Sequence, residues 1–203
     1  MDPSQPQPTY SIDYLNQIAP QAPKRGFLSR KQTIIAAVLG GVILIVIILA
    51  IVLNAGSTTK QSQQLAARLA STETIVSDAT GKIKSSQLRA LNSNLKIYLT
   101  NTNRDIAAPL LKEGVTIGKI DKAVTTKEAG TDITDRLEDA RLNAVYDRTY
   151  AREMAYRLET TMSLMRTIFQ STRNKDLKTF LDGAYTNLQP TQKAFADFNA
   201  TNG

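Results

Sequence analysis

The sequence predicts an all-α protein in which one N-terminal transmembrane helix is followed by an up-and-down bundle of about four helices. Residues 34–53 form an apolar run of 20 residues without a polar side chain. As a helix, this run would be about 30 Å long, which matches the hydrocarbon core of a bilayer. Beyond the run, apolar residues recur at spacings of three and four, the pattern of helices that bury one face.

The composition excludes several kinds of chemistry. The chain has 203 residues, no Cys, no His and a formal net charge of +7. Without Cys there is no disulfide framework or thiolate site. Without His, the usual general base and the commonest transition-metal ligand are missing. We therefore expect a protein that is not an enzyme and that has no cofactor and no metal site.

Residues 1–33 are predicted to form a disordered, Pro-rich cytoplasmic tail. Five of the seven prolines lie there among Gln and Ser residues, so the segment has too little apolar surface to fold alone. One short island has a second interpretation, because Ser11 can cap a turn that brings apolar residues to near-helical spacing. The candidate docking residues for a cytoplasmic partner are Ile12, Tyr14, Leu15 and Ile18.

Residues 34–53 are predicted to be an uncleaved signal anchor in the plasma membrane. The run is longer than the roughly 7–15 apolar residues of a cleaved signal peptide. Four basic residues closely precede it and two follow it within about 20 positions, so the positive-inside rule places the tail in the cytoplasm and residues 57–203 outside. Small residues four positions apart would let two such helices pack closely as a homodimer. They are Ala36, Ala37, Gly40 and Gly41.

Two apolar stripes begin the exterior part. The first should end near Gly81, and the second should follow Ser85 and kink or end at Pro109, which lacks a backbone N–H. Residues 115–130 show no clear period and are expected to be a connection. The stripes consist of Leu65, Leu69, Thr72, Val76 and Ala79, and of Leu88, Leu91, Leu95, Leu99, Thr102 and Ile106.

Two further helices complete the predicted bundle. The third should start near Thr131 and continue for about 40 residues, because residues 131–182 contain no Gly or Pro. The fourth contains Leu177 and should be kinked or split by Pro190. Residues 57–203 are enough for a helical core without disulfides, and short links favour an up-and-down arrangement.

The segment at residues 146–152 contains the candidate ligand or interaction contacts, which are Arg148, Tyr150 and Arg152. Arg148 interrupts the apolar stripe of the third helix. It could be partly buried and paired with a carboxylate of a neighbouring helix, or it could bind an anionic ligand. Acidic residues of the same helix match no EF-hand spacing and are better explained as a solvated helix start. They are Asp132, Asp135, Glu138 and Asp139.

The distribution of basic and acidic residues along the chain indicates which classes of partner to expect. Basic residues beyond the span are interspersed with acidic ones, whereas a nucleic-acid site concentrates them on one face. We therefore expect no nucleic-acid partner. Besides the lipid bilayer, the expected partner is an envelope protein or an anionic surface polymer.

The N-terminal region resembles a group of known proteins. The string DYLNQIAP at residues 13–20 follows a Pro/Gln-rich start and precedes basic residues and a single span. This order resembles uncharacterised single-pass envelope proteins of ultrasmall, host-attached candidate-phyla bacteria. The resemblance covers mainly residues 1–55 and more loosely the helical part. It implies a location and a general architecture, but no activity and no site residues.

The sequence thus predicts a single-pass, membrane-anchored envelope protein. Its non-enzymatic helical exterior domain would bind a protein or surface polymer, or serve as a structural stalk. One alternative is a ligand-sensing four-helix domain that signals through the membrane helix, although such sensors usually have two spans. A second is a carboxylate-only cell-wall hydrolase, which would need two carboxylates about 5–10 Å apart in a cleft.

Overall fold

The structure is a computed structural model, and it describes residues 58–201. The predicted tail, the predicted span and the candidate residues within both lie outside this range, so those predictions stay predictions. The described residues form helices and turns without a strand. Between residues 58 and 201, no helix is long and apolar enough to cross a bilayer. The all-α prediction is confirmed for this part of the chain.

Seven α-helices occur in the described part. The first, α1, covers residues 58–79. A 3₁₀ turn, Ile117–Lys119, lies between α3 and α4. The other helices are α2 (Ser86–Asp105), α3 (Ala107–Lys112), α4 (Lys122–Glu128), α5 (Thr131–Leu142), α6 (Tyr146–Ser171) and α7 (Lys175–Thr201).

The longer helices α1, α2, α5, α6 and α7 form an antiparallel bundle. Short links at residues 80–85, 143–145 and 172–174 reverse the chain between consecutive helices. Side-chain hydrogen bonds join each linked pair across the reversal. These are Thr100 to Glu73 (2.5 Å), Arg136 to Glu153 (2.8 Å) and Arg166 to Tyr185 (2.9 Å).

The prediction of one helix of about 40 residues after Thr131 is wrong. The chain reverses after Leu142, so the bundle has about five helices instead of four. Ala144 adopts the left-handed conformation, with φ of 60°, and the Val145 N–H donates to the Ala140 carbonyl oxygen at 2.9 Å. This bond pattern is a helix C-terminal cap in which glycine normally occupies the left-handed position. Because alanine occupies it here, the sequence contained no stop signal.

Replacing Ala144 with glycine should stabilise the protein. A side chain in the left-handed region costs about 1–2 kcal/mol, part of which glycine loses again through the greater entropy of its unfolded chain. We expect the free energy of unfolding to rise by about 0.5–1 kcal/mol, measured by urea unfolding. Ala90→Gly, at an exposed position inside α2, is the matched control and should lower it by about 1 kcal/mol. Destabilisation by Ala144→Gly would contradict the assigned turn.

The apolar stripes of α1 and α2 form the core as predicted. All the residues named for them are buried except Leu91, which is partly buried. The Ser85 hydroxyl caps α2 by accepting the Leu88 N–H at 3.4 Å. Helix α2 ends at Asp105, whose carbonyl would otherwise bond the N–H that Pro109 lacks. By contrast, α7 continues through Pro190, so of the two predicted outcomes, a kink or a split, the split does not occur.

The connection at residues 115–130 is more ordered than its sequence indicated. It contains the 3₁₀ turn and α4, and α3 precedes it. Its last residue, Gly130, has φ of 72°, and a Cβ there would come within 2.9 Å of the Ile75 side chain. Gly130 therefore serves both the backbone conformation and the close approach of α5 to α1.

Candidate functional site

Two turns lie side by side at one end of the bundle. Asp147, in the first turn of α6, accepts the backbone N–H of Lys84 at 3.0 Å and that of Ser85 at 2.6 Å. These bonds fix the start of α6 beside the link between α1 and α2. A cleft of about 410 Å³ opens between the two turns. We call it the tip cleft; its lining includes Lys82, Lys84, Arg141, Val145, Asp147 and Arg148.

The tip cleft contains more positive than negative charge. Lys82, Lys84 and Arg148 are exposed, and none of them makes an ion pair with another residue of the range 58–201. Arg141 is paired with Glu138, with its Nη2 2.6 Å from Oε1. Asp147 is the one carboxylate that lines the cleft, and backbone N–H groups occupy its oxygens. Lys82, Lys84 and Arg148 therefore remain without an ion-pair partner among the described residues, and their charge can attract an anion.

Arg148 does not lie in the first of its two predicted environments, a partly buried ion pair with a neighbouring helix. Its side chain is exposed, so the prediction of a partly buried residue paired across the bundle is wrong. The physical reason is that Arg148 lies in the first turn of α6, where the chain has just reversed at the end of the bundle. Its position in the tip cleft is compatible with the other interpretation, contact with an anion.

The other two predicted contacts separate from Arg148. Arg152 is exposed, and its Nη2 lies 3.4 Å from the Glu153 carboxylate. Tyr150 is fully buried, and its hydroxyl donates to Asn92 Oδ1. The Asn92 amide donates in turn to the Val76 carbonyl oxygen at 3.2 Å. Tyr150 thus belongs to a hydrogen-bonded core, where burial raises its pKa well above the usual value.

Aromatic packing closes the core beneath the tip cleft. The ring of Tyr150 meets Phe195 edge to face, with centroids 6.0 Å apart, and stacks on Tyr146 at the same distance. Burial, assisted by the charges of Asp78, Asp147 and Glu138, raises the pKa of Tyr146 to about 12. Burial at this position therefore favours the neutral phenol over the phenolate.

Alkaline pH should destabilise the protein through Tyr146. In the unfolded chain this phenol ionises near its ordinary pKa of 10, whereas the folded protein keeps the proton until about 12. Because the folded state binds more protons in this interval, the contribution of Tyr146 to stability is complete below pH 10 and falls as the pH rises toward 12. Urea unfolding across this interval measures it. Tyr146→Phe should show a smaller decline; an equal decline would contradict the assignment.

A second polar cluster was not indicated by the sequence. Glu128, the last residue of α4, is 3% exposed, and its carboxylate accepts Arg68 Nε at 2.8 Å. The Glu128 carbonyl oxygen accepts Arg157 Nη2 at 2.7 Å. Arg157 also donates to Thr72 Oγ1 at 3.2 Å and to Ser71 Oγ at 2.6 Å. We call this polar cluster the latch. Its hydrogen bonds and its ion pair attach the connection to α1 and α6.

The carboxylates outside the tip cleft are the remaining candidate ligands for a metal ion among the described residues. In the range 58–201, no group of three or more Asp or Glu residues is placed to hold a metal ion. Asp132, Asp135, Glu138 and Asp139 are all exposed on α5. Two adjoining grooves between α6 and α7 contain one carboxylate each, Glu159 in the first and Asp182 in the second.

Comparison with known proteins adds no relative to this description. The chain matches no protein-family model. No curated protein and no solved structure matches it either.

Proposed function

We propose that the chain is a single-pass, membrane-anchored envelope protein whose helical exterior domain is a non-enzymatic interaction module. The observation that carries this proposal is the tip cleft, where Lys82, Lys84 and Arg148 are exposed without ion-pair partners in the described part. Unpaired cations in a concave surface attract an anionic partner over several ångströms. The tip cleft is the contact surface in this proposal.

The anchor in this proposal is supported by the sequence. Residues 34–53 have the length and composition of a membrane span. Helix α1 covers residues 58–79, which corresponds to about 33 Å along its axis. The tip cleft lies at the end of α1 opposite to residue 58, and residue 58 follows the predicted span by only a few positions.

The experiment combines fractionation with site-specific crosslinking in intact cells. A photo-crosslinking residue replaces Lys84 in the tip cleft or, as a control, Ile97, which is 63% exposed on α2. We expect the chain to stay in membranes washed with alkaline carbonate, and we expect crosslinks to envelope material from position 84 and few from position 97. Extraction by carbonate, or equal crosslinking from both positions, would contradict the proposal.

A further inference from the structure

We propose that the tip cleft docks on an anionic lipid surface, with Leu142 and Val145 inserted among the lipid chains. The inference rests on the proposed function, since it names the partner of the same contact surface. Attraction of an anion by the cations leaves one feature of the tip unexplained. At the tip, the exposed cations lie beside exposed apolar side chains.

The turn between α5 and α6 presents two large apolar side chains to solvent. Leu142 is 69% exposed and Val145 is 48% exposed. They are three positions apart, on either side of the left-handed Ala144, so both belong to one protruding turn. Exposed apolar surface is unfavourable in water, and transfer of such side chains into an acyl layer removes that cost.

Basic residues flank this apolar pair. Arg141 precedes it and Arg148 follows it in the chain, and Lys82 and Lys84 approach from the other side of the cleft. Apolar side chains bordered by Lys and Arg are the pattern of proteins that bind the surface of anionic membranes. Of the nearby carboxylates, Asp147 accepts backbone N–H groups and Glu138 is paired with Arg141, while the exposed Asp78 adds one negative charge near Tyr146.

The apolar pair favours a lipid surface over a soluble polyanion. A polyanion would be bound by the cations alone, and its affinity would not depend on Leu142 or Val145. A bilayer interface offers both a negative surface and an apolar layer directly beneath it. Of these two partners, only the lipid surface uses both features of the tip.

The test uses the full chain held in nanodiscs of phosphatidylcholine. These are mixed with vesicles of phosphatidylcholine alone, or of phosphatidylcholine and phosphatidylglycerol in equal amounts, and bound protein is measured by vesicle flotation. We expect capture by the anionic vesicles only. If the chain does not enter nanodiscs, the anchor of the proposed function fails. The soluble chain is then mixed with the same vesicles directly, so that the tip is still tested.

Two double variants test the basic residues and the exposed apolar pair of the tip separately. Lys84→Glu with Arg148→Glu should weaken capture at least about tenfold. Leu142→Ser with Val145→Ser should also weaken it about tenfold, because two inserted side chains are lost. The matched controls are Lys96→Glu with Lys127→Glu, and Ile97→Ser, all at exposed positions away from the tip. These controls should bind as the unmodified chain does.

Three results would overturn the inference. Capture by neutral vesicles to the same extent would remove the role of charge. A loss with the control variants as large as with the tip variants would show that the surface is not the tip. Capture that survives loss of Leu142 and Val145 but fails after charge reversal would show a purely electrostatic site, as expected for a polyanionic polymer. The circular dichroism spectrum of each variant shows that the fold is retained.

Discussion

Replacing Glu128 with alanine is expected to lower the free energy of unfolding by about 3–5 kcal/mol. Its carboxylate is the ion-pair partner of Arg68, whose side chain is 19% exposed. The guanidinium of Arg157 lies in the same cluster, where burial and the charge of Arg68 lower its pKa. Removal of the Glu128 carboxylate would leave Arg68 without its ion-pair partner, and it would remove one of the two carboxylates, Glu128 and Asp132, whose charge favours the charged form of Arg157. Breaking a buried pair from one side leaves an uncompensated charge, which is costly in a low-dielectric interior.

Urea unfolding followed by circular dichroism measures this effect. The matched control is Asp197→Ala, which removes the carboxylate of an exposed ion pair with Lys193 and should cost less than about 0.5 kcal/mol. The double variant Arg68→Met with Glu128→Leu should be less destabilised than Glu128→Ala, because it removes both charges. Equal costs for Glu128→Ala and Asp197→Ala would contradict the role of the latch.

Two arginines in the predicted span should release the protein from membranes. Leu44→Arg with Ile48→Arg places two charges near the middle of residues 34–53. Insertion of each costs about 2.5–3.5 kcal/mol at the centre of a membrane helix, so the pair adds about 5–7 kcal/mol. We expect this variant to appear in the soluble fraction or to be degraded, whereas the unmodified chain stays in the membrane pellet.

The control for this prediction keeps the segment apolar. Leu44→Ala with Ile48→Ala shortens the same two side chains without adding charge and should leave the protein in the pellet. If the arginine variant fractionates as the unmodified chain does, the segment does not cross the bilayer. Both variants are made in the full-length chain, because residues 58–201 contain no helix that could cross the membrane in place of residues 34–53.

The buried faces of the helices were predictable because periodic apolar spacing records them directly. Leu65, Leu69 and Val76 of α1 and Leu95 and Leu99 of α2 are all buried. Each was identified by its distance from the next apolar residue in the chain. This signal is local and needs no knowledge of which helices meet.

The reversal of the chain after Leu142 was not predictable, because the residue in the left-handed conformation is not of a type that normally ends a helix. The left-handed residue is Ala144, which has the highest helix propensity of any residue type. Apolar side chains continue on both sides of it, so the stripe shows no break at Ala144. The antiparallel contacts of α5 with α6, such as Arg136 to Glu153, become visible only in three dimensions.

The candidate site was predicted in part. Arg148 was identified because it interrupted an apolar stripe, and it does lie in the tip cleft. Lys82 and Lys84 were not identified, since they lie in a turn that is remote from Arg148 in the chain. Glu128 was missed for a similar reason: its partners Arg68 and Arg157 lie 60 and 29 positions away. Long-range pairs leave no periodic trace in a single sequence.

The central claim is that the tail and the helical domain lie on opposite sides of a membrane, and single-cysteine labelling tests it most directly. The chain has no native Cys, so Ser4→Cys and Thr201→Cys each introduce a unique thiol. A membrane-impermeant maleimide should label residue 201 in intact cells, and residue 4 only after lysis. Labelling of residue 4 with protection of residue 201, or recovery of the full chain in the soluble fraction, would contradict the account.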